Sequence, residues 1–215
     1  MSKQHVGAPS LPLIAIPAVI TFAVTLLRLV GELLNWSPAL FSRVGGGFSL
    51  VGITWLIPVF GVYFALKLNG RGEGPASGWK ASGWALIGLL VMIAAITVTM
   101  KLPRVTILIV TSISFWLAIA IAFRGWPALA RTLLSYGFAA RIPVAIVMLV
   151  ATYARWGTHY DAFPPDMAQV DAMAPIVKWF SFGLVPQMTG WICMTVLVGM
   201  LVGGVAAALA GRRQA

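Results

Sequence analysis

Residues 81–123 read ASGWALIGLLVMIAAITVTMKLPRVTILIVTSISFWLAIAIAF. Apolar runs at 81–100 and 105–123 flank the tetrapeptide Lys101-Leu102-Pro103-Arg104. Each run has the ~20 residues that a helix needs to cross hydrocarbon, at about 1.5 Å per residue. So short a connection forces the two helices into a tight antiparallel hairpin. Working outward, similar runs occupy 11–34, 48–68, 139–155 and 186–210. The expected fold is an all-α polytopic integral membrane protein of six transmembrane helices, forming a single domain over residues 1–215.

Composition agrees. Hydrophobic residues make up 60% of the chain and charged residues 9%, too few to coat a water-facing surface; soluble proteins carry roughly 25%. Mean hydropathy is +0.94. Lys and Arg number 15 against 5 Asp and Glu, a net charge of +10. These basic residues are dispersed among the loops, which fits anchoring to anionic lipid and argues against nucleic acid as a partner. The one cysteine, Cys193, lies in an apolar run, which excludes an intramolecular disulfide and a Cys-based metal site.

The longer connections carry Gly or Pro: Gly45-Gly46-Gly47, Asn69–Gly78 (NGRGEGPASG) and Phe163-Pro164-Pro165. Trp126–Gly137 (WPALARTLLSYG) has Pro127 at an N1-like position and an apolar stripe of Leu129, Leu133 and Leu134, with Arg131 off it. It reads as a short interfacial amphipathic helix over 127–137, because merging it with the next span would bury Arg131 or Arg141 in hydrocarbon. Ala174–Val185, with Lys178 and Trp179, reads as an interfacial approach to the last span. The first apolar run is taken as a helix rather than a cleaved signal peptide, since no small-x-small site follows it before Arg28.

With the N-terminus cytoplasmic, that side collects Lys3, Lys67, Arg71, Lys80, Arg124, Arg131, Arg141, Arg212 and Arg213. The other side holds Arg28, Arg43, Lys101, Arg104, Arg155 and Lys178. Nine against six places both termini in the cytoplasm, with a bacterial cytoplasmic (inner) membrane as the expected location.

Two stretches hold candidate chemistry. Arg28 and Glu32 (TLLRLVGELLNW) stand one helical turn apart at membrane depth, where ionisable groups are functional suspects. Trp36 nearby leaves open a purely structural pair neutralised at headgroup level. Arg155–Asp171 (RWGTHYDAFPPDMAQVD) groups Arg155, Trp156, His159, Tyr160 and Asp161, followed by Asp166 and Asp171. His159 and Asp161 project to one side of an extended segment, an arrangement suited to acid/base work. No metal or cofactor is expected. The aspartate spacing matches no chelating loop, and His5, the other histidine, lies on the opposite side. The sequence also lacks a bis-His haem pair, a nucleophile elbow and a phosphate-binding loop.

Gly199, Gly203, Ala207 and Gly211 repeat at four-residue spacing, and Gly61 and Ala65 echo the pattern, as close helix packing requires. Pro58 is a candidate kink. The similarity of Leu56–Gly61 (LIPVFG) to Leu184–Gly190 (LVPQMTG) is too short to define an inverted repeat.

The favoured function is binding or transport of a small amphiphilic or anionic ligand at the extracytoplasmic mouth. Arg28, Arg104 and Arg155 would hold its anion, Glu32 would tune Arg28, and Trp156 and Tyr160 would cover it. A second expectation is an accessory subunit that meets a membrane-protein partner, or a second copy, through the Gly199–Gly211 face. A third is a membrane enzyme acting on a lipid-linked substrate with His159 and Asp161.

Overall fold

The structure, a computed structural model, describes residues 11–44, 49–162, 170 and 172–211. Lys3, His5, Gly45-Gly46-Gly47, Phe163-Pro164-Pro165, Asp166, Asp171, Arg212 and Arg213 lie outside the described residues. The described elements are α1 (Leu11–Leu33), α2 (Leu56–Gly70), α3 (Gly78–Thr99), α4 (Arg104–Phe123), α5 (Pro127–Ala154) and α6 (Pro175–Gly211), with no strand among the described residues. Five of them, all but α2, are long and apolar enough to cross a membrane, which points to an integral membrane protein.

The helices are turned inside out relative to a soluble bundle. On α1, Thr21, Thr25, Arg28 and Glu32 are buried, while Ile16, Val19, Leu27 and Val30 are exposed. A period of three to four residues puts the polar set on one stripe facing the protein. An apolar outer surface with a polar inner stripe is stable only where the surrounding medium is hydrocarbon.

The expected α3–α4 hairpin is present. Leu102 N–H donates to Thr99 O at 2.9 Å, and Pro103 ends the turn at the N-cap of α4. The Ser77 hydroxyl caps α3 by accepting from Lys80 N–H at 3.4 Å. α6 runs through the middle of the bundle, against α2, α3, α4 and α5.

Three expectations need correction. First, α2 begins at Leu56, not Phe48, because residues 51–55 form turns. Pro58 explains this: it lacks an N–H, and its ring would strike the carbonyl of residue 54 in a longer helix, whereas in the first turn neither matters. Pro58 therefore starts a helix and kinks none. Second, 127–137 is not a separate interfacial helix. α5 is a single 28-residue helix from Pro127 to Ala154, and Arg141 is buried at its middle. The hydrocarbon penalty that argued against this is not incurred, since Arg141 turns into the protein. Third, Ala174–Val185 is not set off from the last span. It is continuous with the last span as the first half of α6, which widens into π-helix at Trp179–Leu184 and Gln187–Trp191, on either side of Pro186. A proline that cannot donate to its i−4 carbonyl is a recognised cause of such local rewinding.

The Gly199–Gly211 stripe packs within the chain. A Cβ on Gly61 would stand 2.7 Å from Gly199 Cα, and one on Gly203 would stand 2.9 Å from Gly61 O. Gly204 meets α3 through Gly78 O and Ser82 Oγ. The face assigned to an outside partner is thus covered by α2 and α5 at Gly199 and Gly203 and is buried at Ala207; of the four residues, Gly211 alone is exposed.

Candidate functional site

α1 and α5 run side by side in the same direction. Thr21 Oγ1 bonds Tyr136 Oη at 2.7 Å, and two turns on, Leu29 packs with Val144, Ala151 and Tyr160. The left-handed conformation of Arg155 (φ 53°) stops α5 and folds the following residues back over the end of α1. Asp161 holds that fold: one carboxylate oxygen accepts Gly157 N–H at 2.8 Å, and the other accepts Thr158 N–H and Oγ1–H at 2.7 Å each. Tyr160 Oη donates to Thr25 O at 2.9 Å, where burial pushes the phenol well above its ordinary range.

The anchor beneath this loop is Glu32, only 1% exposed. Arg28 Nε donates to Oε1 at 2.8 Å, and His159 N–H donates to Oε2 at 2.8 Å. His159 Nδ1 lies 2.6 Å from Oε1, a contact too oblique for a straight hydrogen bond. Arg28 Nη2 also donates to Ser42 O at 2.8 Å, and Arg43 donates from Nε and Nη2 to Glu32 O. A carboxylate is tolerated at this depth because its lone pairs are filled from two segments of the chain. Burial lowers the His159 pKa, and Glu32 raises it less, so the imidazole is neutral at neutral pH.

Above Glu32 opens a cavity of about 580 Å³, within the range of small-molecule sites. Arg28, Arg104 and Arg141 line it, with His159, Tyr160 and Gln187, and among the described residues no carboxylate lines it. Arg104, the first residue of α4, lies 3.4 Å from the centroid of the Phe182 ring, and Arg141 lies 4.6 Å from that of Trp191. Such stacking is worth ~2 kcal/mol in a desolvated place. Arg141 is 4% exposed and its Nε has no hydrogen-bond partner among the described residues, and the same holds for Oε1 of Gln187, 8% exposed. Buried polar atoms are rarely left so. Both residues line the same cavity.

The structure therefore brings Arg28, Arg104, His159 and Tyr160 together and sets Glu32 directly behind them. Arg155 is exposed and outside the cavity lining, Trp156 packs against the Leu29 cluster, and Asp161 serves the loop turn rather than His159. Arg141, Gln187 and Trp191 were not anticipated as site residues. An arginine in the centre of a 28-residue apolar helix was the available signal, and the cost of burial was read as a reason to break the helix rather than to fill a site. Neither the known protein families, nor the curated proteins, nor the solved structures contain a match to this chain.

Proposed function

We propose that this protein binds the anionic part of a small amphiphilic or anionic ligand in the cavity formed by Arg28, Arg104 and Arg141. The observation that carries this is a cavity lined by three guanidinium groups and, among the described residues, by no carboxylate, with the buried Arg141 Nε lacking a partner among them. Glu32 neutralises and aims Arg28, and Arg141 has no acidic partner among the described residues. A planar guanidinium suits phosphate or carboxylate, and an anion beside Arg141 supplies the partner that its Nε lacks among the described residues.

The cavity mouth lies at the extracytoplasmic end of a six-span bundle, α2 crossing together with the turns that precede it. Once Arg28, Arg104 and Arg141 are assigned to the cavity, eight basic residues remain on the terminal side against four on the other, so both termini are cytoplasmic. The membrane is a bacterial inner membrane in this assignment.

The test is native mass spectrometry on protein extracted gently from its own membrane. Wild type should carry a reproducible small-molecule adduct. Arg141→Gln should weaken its retention about 10- to 100-fold, the weight of one charged hydrogen bond. Full retention in a folded Arg141→Gln protein removes the arginine cavity from the function.

A second possibility, a membrane enzyme on a lipid-linked substrate, draws support from His159 facing the same cavity with Glu32 at Nδ1. Glu32 fixes the position of His159 through its backbone N–H, leaving Nε2 to act as base. Turnover of an extracted lipid pool that survives His159→Gln eliminates it.

A further inference from the structure

A second concavity, of about 560 Å³, adjoins the arginine cavity and shares Leu108, Pro186 and Trp191 with it. It is a groove between the α3–α4 hairpin and α6, and it differs in character. Its walls are side chains such as Met92, Ile96, Ile107, Phe115 and Met194. The threonines along it turn their hydroxyls back into their own helices: Thr99 Oγ1 donates to Ala95 O at 2.7 Å, Thr111 to Ile107 O at 2.6 Å and Thr189 to Val185 O at 2.8 Å. Their donors are satisfied, and methyl groups are what remains to line the space. Met100, 73% exposed, marks where the groove opens on the apolar outer surface.

Trp191 is the partition. Its ring carries the Arg141 guanidinium within the polar cavity and also forms part of the groove wall. Trp191 ends the second π-helical segment, and Pro186, also shared by both spaces, stands between the two segments. The rewound part of α6 is therefore what sets the two spaces side by side, a placement common for π-helical turns at functional sites.

We infer that the ligand is an anionic lipid whose phosphate or carboxylate head lies against Arg141 and whose hydrocarbon chain passes Trp191 into the α3–α4–α6 groove and out to the bilayer. This rests on the anion-binding function proposed above and names its ligand class. A soluble anion would use the cavity alone. An apolar groove leading from it adds binding only for a molecule with an apolar chain attached to its anion, and the flexible methionines at 92, 100 and 194 suit a chain without fixed shape.

The experiment uses methyl, octyl and hexadecyl phosphate as probes on the whole detergent-solubilised protein, with binding read by native mass spectrometry. Wild type should bind all three, with hexadecyl phosphate held on the order of tenfold or more tighter than octyl. Ser112→Trp fills the groove from α4. It should leave methyl phosphate unchanged and reduce the chain-length gain to about twofold or less. Should that variant fail to fold, Met100→Trp blocks the exposed exit instead. Methyl phosphate binding with no gain from the chain, or a gain untouched by either tryptophan, overturns the groove assignment and leaves the anion site standing. Failure to bind any of the three overturns the anion site itself.

Discussion

Arg141 and Glu32 are both charged and buried, yet they do different work. Glu32 is fully engaged, by Arg28, His159 and the loop that His159 carries. Glu32→Ala should destabilise the protein by about 3–5 kcal/mol, because Arg28 would be left buried without its counter-charge; thermal unfolding in detergent measures this. Arg141 has no acidic partner among the described residues, so Arg141→Gln loses the Trp191 stacking but relieves the cost of a buried charge, and stability should change little while binding falls. His159 adds a pH dependence. Burial holds its pKa below the ordinary 6.5, so the unfolded chain takes up a proton before the folded one does. Stability should be full above about pH 6.5 and decline as pH falls below it. A melting temperature that stays flat from pH 8 to pH 5 would contradict this, and His159→Gln should remove the decline. The Arg28–Glu32 pair was legible from its spacing alone. That Glu32 meets His159 rather than Asp161 doing so was not, since 127 residues separate the two in sequence.

At the scale of elements, the small residues of α6 decide how closely its neighbours approach. Gly61→Leu places a Cβ 2.7 Å from the Gly199 backbone, which cannot yield as a side-chain end would. A loss of about 1–3 kcal/mol is expected, seen as a lower melting temperature. Gly83→Leu is the control, because a Cβ there meets nothing within 4 Å and the helix gains about 1 kcal/mol of propensity. Helix ends were readable where a proline or cap stands at the boundary, as at Pro103 and Pro127. They were misjudged where burial of a charge was counted as a penalty without its compensation. α5 runs through Arg141 because Trp191 and the cavity receive the guanidinium, and no feature of 127–154 by itself reveals a partner on α6.

For the whole molecule, the proposed orientation predicts opposite labelling of the two ends. The buried Cys193 gives a silent background for introduced cysteines. In intact cells, Lys101→Cys should react with an impermeant maleimide and Arg71→Cys only after the membrane is opened; the reverse pattern inverts the topology. The class of protein was determined by the sequence alone, because hydrocarbon solvates no backbone polar groups and apolar runs of spanning length have few other uses. The α3–α4 hairpin followed from its four-residue connection in the same way. Where the charges meet was decided only in three dimensions. Arg28, Arg104 and Arg141 come from three helices, and rewinding of α6 around Pro186 brings Trp191 and Gln187 to them. Such convergence depends on how helices pack side by side, which local patterns of hydropathy do not encode.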